Sequence, residues 1–221
     1  MFERIEVIGS GRVGAAVAAR LRERGLLVGS DADLVLLCVP DTSIESAAQG
    51  LTPGPWVGHV SGATPLAALA PHVRRFSVHP LQTFTRARGP EQLDGAWAAV
   101  TAESPDALAR GRWLAETLGL RPFELADANR PVYHAGAAIA SNYLVTLQRA
   151  AAALLEAAGA PPQALEPLMR RTIENGFELT GPIARGDWST VERHREAIRA
   201  ARPDLEHLYD CLAGATVAIA L

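Results

Sequence analysis

The hexapeptide Gly9-Ser10-Gly11-Arg12-Val13-Gly14 constrains the chain most, because it stands directly between an apolar run, Ile5–Ile8, and a helical run, Ala15–Arg24. In that setting the first glycine permits a tight turn, the second lets an anion approach the backbone, and the third lets helix and strand pack closely. Free amides at the helix start face the anion. The segment after the helix is unusually short. Only 'LLVGSDA' separates it from the next apolar run, 'DLVLLCVP'. A crossover between parallel strands takes roughly a dozen residues, so 'LLVG' is excluded as a parallel strand. The expected path turns beneath the sheet and rises beside the first strand as a right-handed βαβ. Asp31 and Asp33 then lie at the bottom, far from any ribose.

Short apolar runs bounded by turn residues alternate with helical patterns to about residue 126, which argues for a mostly parallel sheet. Strands are expected at Ile5–Ile8, Leu34–Val39, Val57–Val60, Arg75–His79, Ala96–Val100 and Phe123–Leu125. Thr42 with Glu45 reads as a capping box, and Thr64-Pro65 and Ser104-Pro105 as caps followed by proline at the first helical position. Beyond Asn129 the pattern is helical only, beginning with an alanine-rich run from Val132 to Gly159 that would span about 42 Å as one helix. Breaks fall at Gly181-Pro182 and Pro203. The fold class is therefore α/β, a mostly parallel sheet over residues 1–127 with a truncated adenosine half, followed by an all-α domain over 128–221. So long a helix leaves surface uncovered, and a homodimer through the helical half is expected.

Composition narrows the function. The formal charge of -3 gives no net attraction to a polyanion, so nucleic acid is not an expected partner. All 21 basic residues other than histidine are arginine, which removes lysine Schiff-base and acid–base chemistry. Cys38 and Cys211 have no metal-ligand spacing and read as buried thiols of a reducing compartment. The N-terminus lacks a basic leader pattern, and 'CLAGATVAIAL' is too short to cross a bilayer, so a cytoplasmic protein without a membrane partner is expected.

With the glycine loop, 'DADLVLLCVPD', 'HVSGATPL', 'VHPLQTF' and 'TGPIARGDWSTVERH' in order, the chain resembles a bacterial family of Rossmann-like proteins with a helical C-terminal domain of unassigned function. These are similar to pyrroline-carboxylate reductase, prephenate dehydrogenase and the phosphogluconate dehydrogenase-like oxidoreductases. The resemblance implies NADP or NAD as cofactor. Its pyrophosphate would lie on Gly9, Ser10, Gly11, Arg12, Val13 and Gly14, and its nicotinamide over Val39, Pro40, Asp41, Ser61 and Gly62.

Candidates for chemistry cluster at strand ends and on the long helix. His79 closes a strand, where it can donate to a carbonyl or move a proton; the alternative is a structural bond in the His-Pro turn. Gln82 comes next in the same loop as a substrate contact. On the helix, Ser141 is seven residues past His134 and nearly above it, with Asn142 about 80° round. His134 and Ser141 are candidate substrate contacts. Asn142 joins His79 as a candidate proton partner, because the resemblance places a substrate-facing polar residue there. Arg185 has the fork to hold a carboxylate or phosphate, or else makes a structural ion pair, and Asp187 reads as a helix cap. No metal or nucleophile motif appears. Two functions fit: an NAD(P)-dependent oxidoreductase acting on a small substrate, or a dimeric binding or regulatory protein that has lost full dinucleotide binding.

Overall fold

The computed structural model describes residues 1–27 and 29–220, which divide into two compact units, Met1–Ile139 and Ala140–Leu221. The first unit is built on a six-stranded sheet whose order follows the chain: β1 (Ile5–Ile8), β2 (Leu34–Leu37), β3 (Trp56–His59), β4 (Arg75–Pro80), β5 (Trp97–Ala102) and β6 (Arg121–Glu124). All six fall where the apolar runs place them. Every neighbouring pair is parallel except β4 and β5. β2 reads Leu-Val-Leu-Leu and is buried on both faces, as a strand between two helical layers must be.

The two faces carry separate cores. Leu34 and Leu36 of β2 pack with Val17 and Leu21 of helix α1 (Arg12–Glu23) and with Leu114 of α3 (Pro105–Thr117). Val35 and Leu37 face the other way, onto Ile44 and Ala48 of α2 (Ile44–Gln49) and onto Leu66 and Leu69. Helices α1 and α2 thus lie on opposite faces. Two successive right-handed crossovers running the same way along a sheet would put both on one face, so the simple β1–α1–β2 path expected from the sequence is not what the chain does. Leu27 makes a single parallel bridge to Ile5 on the outer edge of β1, and the Leu26 carbonyl accepts from the Ile5 amide at 2.8 Å. Leu27, within the stretch excluded above as a parallel strand, supplies this one-rung remnant. The long-crossover requirement does not apply, because so short a stub never climbs the sheet and the chain only has to pass beneath β1. Asp33 ends that passage at the bottom, its carboxylate accepting from the amides of Glu3 and Arg4 at 3.0 and 2.9 Å.

Of the three expected caps, Ser104 forms, accepting from the Ala107 amide at 3.2 Å. The Thr42–Glu45 box does not, because the chain leaves Pro40 directly into a 3-10 turn, Asp41–Ser43, that runs into α2. Thr64 does not cap either. The free amide of Leu66 donates instead to the carboxylate of Asp127, 61 residues away.

Residues Arg130–Ala157 are helical throughout, as α4 (Arg130–Ala138), a π-helical turn (Ile139–Tyr143) and α5 (Leu144–Ala157), with Gly159 at φ +74° just beyond. A π turn acts as a one-residue insertion in the helical phase. The second unit continues with α6 (Leu165–Glu174), α7 (Trp188–Ala201) and α8 (Glu206–Ala220). Asp187 caps α7 as expected, accepting from the Thr190 amide at 3.1 Å. Cys38 is buried, and loss of hydration pushes its thiol up to about 12. Cys211 is exposed on α8, contrary to the expectation that both thiols are buried, because α8 buries only Ala213. No described helix is long and apolar enough to cross a membrane.

Candidate functional site

The three loop glycines divide by what surrounds them. A side chain on Gly9, at φ +116°, would meet the Cys38 carbonyl oxygen at 2.4 Å, and one on Gly14 would meet the Gly9 carbonyl oxygen at 2.1 Å. These two weld β1, α1 and the end of β2 together. Gly11 has nothing within 4 Å of the place a side chain would occupy. It forms the N-cap of α1 with extended backbone (φ -67°, ψ -174°) and no side-chain cap, so the first amides of the helix open onto that space. Ser10 and Arg12 are exposed beside it, and Val13 packs against the core. Because α1 and α2 diverge onto opposite faces, the strand ends of β1 and β2 are a switch point, the place where open α/β sheets bind ligands. Val39, Pro40 and Asp41 follow β2 there, the last two exposed.

An open groove of about 580 Å³ runs along the free edge of β1, lined by Gly9, Ser10, Gly14, Arg22, Leu27 and Glu6 among others. No described strand beyond Leu27 supplies a ribose-holding carboxylate. Asp33 is engaged at the opposite end of the sheet.

The ends of β3, β4 and β5 are more elaborate. His59 of β3 is paired in register with Ser77 of β4, and Ser77 with Thr101 of β5, giving a row of buried polar side chains across the sheet. Above this row sits Arg130, the first residue of α4 and only 1% exposed. Its guanidinium donates to the Asp127 carboxylate at 2.8 Å, to the Ser61 carbonyl at 2.9 Å and to the Ser77 hydroxyl. Arg130 thus fastens the turn after β3 to β4 and to the start of the long helix. Ser61 is buried, and its hydroxyl is occupied by its own turn: it accepts from the amides of Ala63 and Thr64 and donates to the Thr64 hydroxyl.

His79 lies at the end of β4, its Nδ1 2.7 Å from the Tyr133 hydroxyl and its ring 6.2 Å from that of His134. Between the two imidazoles there is room for no side chain on Gly62: a Cβ would stand 2.8 Å from His79 Nε2 and 2.9 Å from His134 Cδ2. Burial, with the charges of His134 and Arg130 beside it, holds His79 down to about 4 against a weaker upward pull from Asp41. Burial and the same arginine hold His59 down to about 3, and burial pushes the Tyr133 hydroxyl up to about 12. All three are uncharged at neutral pH. His59 Nδ1 accepts from the Ser61 amide at 3.2 Å, and its Nε2 is buried without a hydrogen-bond partner.

Two imidazoles kept neutral give the fold an acid liability. Below pH 6.5 the unfolded chain binds protons at both positions that the folded chain refuses, so stability present above 6.5 is lost as pH falls towards 4. At about 1.36 kcal/mol per pH unit each should cost about 2 kcal/mol at pH 5. Urea denaturation at pH 7.5 and pH 5.0 measures this, and His79→Gln should shrink the difference. A stability independent of pH across that range would contradict the burial of neutral imidazoles.

The structure brings His79, Gly62 and His134 together. Gln82 is exposed just beyond β4, with its Oε1 turned back to accept from the Thr83 amide at 2.8 Å. Ser141, Asn142 and Arg185 belong to the second unit, where Asn142 is exposed and Arg185 donates to the Thr180 carbonyl rather than to a carboxylate. Asp127, Arg130 and Tyr133 are site residues outside the sequence motifs, and His59 opens the motif 'HVSGATPL' without standing among the candidates. The Asp-x-x-Arg spacing at 127–130 was the available signal for two of them, since it suits an i,i+3 ion pair.

Known structures share this architecture. A Bacteroides fragilis protein named "putative NADP oxidoreductase BF3122" superposes with a TM-score of 0.81 at 21% identity, over 98% of both chains. Protein TM1727 from Thermotoga maritima gives 0.79 at 22%, over 98% of this chain and 97% of that one. The 1-pyrroline-5-carboxylate reductase of Streptococcus pyogenes gives 0.63 at 18%, over 98% and 97%. The Rossmann-like fold and the likeness to pyrroline-carboxylate reductase expected from the motifs are thereby shown. No curated protein sequence matches the chain. The domain of unknown function DUF2520 matches residues 96–216, more than half of the chain, and the protein belongs to that family.

Proposed function

We propose that the protein is an NAD(P)-dependent oxidoreductase acting on a small substrate. The observation that carries the reading is the division of labour in the glycine loop: Gly9 and Gly14 are locked by packing, while Gly11 opens onto free space at the start of α1. That cradle fits a pyrophosphate held by backbone amides. A nicotinamide cofactor would supply the hydride chemistry, and the chain's own residues would position the reactants. Ser10, Arg12, Val13, Val39, Pro40, Asp41, Ser61 and Gly62 would line the cofactor, with His79 facing the substrate. Asn142 is a second proton partner in this reading, and Gln82, His134, Ser141 and Arg185 are substrate contacts. NADP(H) is favoured over NAD(H) because Arg12 stands exposed at the loop, a cation for a 2′-phosphate.

Fluorescence titration tests this. NADPH is expected to bind with micromolar Kd and more tightly than NADH; a folded protein that binds neither would end the oxidoreductase reading. The single-rung remnant at Leu27 favours the second reading, a binding or regulatory protein that keeps the loop for a smaller anion. We also propose a homodimer through the helical unit, in which Leu144, Val145, Leu168, Ile173 and Phe177 are exposed. Light scattering should give twice the 23.4 kDa chain mass.

A further inference from the structure

The Tyr133–His79 contact determines which way the imidazole faces chemically. The Nδ1–Oη distance of 2.7 Å is that of a full hydrogen bond, and the rings meet edge to face at 86°. Phe123 also packs edge to face with Tyr133, with ring centroids 6.0 Å apart, so the phenol ring has two aromatic neighbours. Among the described residues the Tyr133 hydroxyl makes no other hydrogen bond. A phenol proton not given to Nδ1 would therefore be left unpaired in a half-buried place, at a cost folding avoids. Nδ1 is the acceptor on this argument, and a neutral imidazole that accepts at one nitrogen carries its proton on the other. The other, Nε2, makes no hydrogen bond to a described residue and lies beside Gly62 in the turn after β3, 2.8 Å from where a side chain on that residue would begin.

We infer that Tyr133 is a positioning residue that fixes His79 in the Nε2–H tautomer, so that the ring presents a hydrogen-bond donor beside Gly62 to an acceptor atom of the substrate, the carbonyl oxygen of an oxo compound. A neutral imidazole that donates polarises such an oxygen without carrying a charge into the site. Its low proton affinity keeps it neutral across the working range. Gly62 keeps the space before Nε2 clear. The substrate class rests on the oxidoreductase reading; the tautomer does not.

The test is a two-bond proton–nitrogen correlation spectrum of the full chain labelled with 15N-histidine, at pH 7, with the His79 signals assigned by their loss in His79→Gln. Wild-type His79 is expected to show an unprotonated Nδ1 and a protonated Nε2. In Tyr133→Phe the two nitrogen shifts should converge as both tautomers become populated. A proton on Nδ1 in the wild type, or a tautomer unchanged in a folded Tyr133→Phe variant, overturns the inference. If that variant does not fold, the wild-type spectrum decides alone. Failure of NADPH to bind would end the oxidoreductase reading and leave the tautomer result standing, whereas NADPH binding with the proton on Nδ1 would end only this inference.

Discussion

Gly14→Ala is expected to lower stability by about 3 kcal/mol or more, whereas Gly11→Leu, three residues away, should leave stability within about 1 kcal/mol of wild type and weaken dinucleotide binding by about 100-fold. The contrast arises from the surroundings each side chain would meet. At Gly14 the new methyl lies 2.1 Å from the Gly9 carbonyl oxygen, a backbone atom fixed between β1 and the end of β2, and it also crowds the Cys38 side chain at 3.0 Å. Neither neighbour can swing away. At Gly11 the φ of -67° suits any residue and the space is open, so the leucine folds without strain and fills the cradle. Losing two hydrogen bonds to a charged pyrophosphate, at about 1.5 kcal/mol each, corresponds to about 100-fold in Kd. Thermal denaturation and NADPH titration of both variants measure the two effects separately. A Gly11→Leu protein that binds as wild type would show that the loop is not the cofactor site.

The second large effect is expected at Arg130. Arg130→Met should cost about 2–4 kcal/mol in urea denaturation, because two buried acceptors lose their donor at about 1–3 kcal/mol each, whereas Asp127 is partly exposed and can be hydrated. The loss is wider than one bond, because the Ser61 carbonyl and Ser77 hydroxyl lose a donor and Asp127 keeps only the Leu66 amide. Arg130→Lys should recover little, since one ammonium cannot reach three acceptors spread round a planar fork. Because Ser61 precedes Gly62, the unfastened turn should also release His79, visible as a shifted His79 resonance. A stability loss under 1 kcal/mol would show that Arg130 does not bind the sheet together.

The sheet was legible because its strands are buried on one or both faces, so apolar runs had to coincide with them. Leu34–Leu37 is the clearest case. Even the oddity between Gly25 and Asp33 was visible as a length too short for strand, helix and strand. Its resolution was not, because a one-rung bridge at Leu27 leaves no periodicity, and the face on which α1 packs depends on contacts with residues far along the chain. The site divides in the same way. The glycine loop is local and could be read, whereas the pairing of Tyr133 with His79 spans 54 residues and that of Arg130 with Ser61 spans 69. Sequence distance hid them. The π turn at Ile139–Tyr143 escaped too, because no proline or glycine marks it.

The order of the sheet bears finally on how the chain assembles. Each strand pairs with the one synthesised just before it, from β1 through β6. Fold families that carry extra strands on the far side of β1 must close long loops before those pairs form, and loop closure slows folding. Here a nascent chain can add strands one at a time to an edge that already exists. Shortening the adenosine side has left a sheet that can be laid down in the direction of translation, N-terminus first.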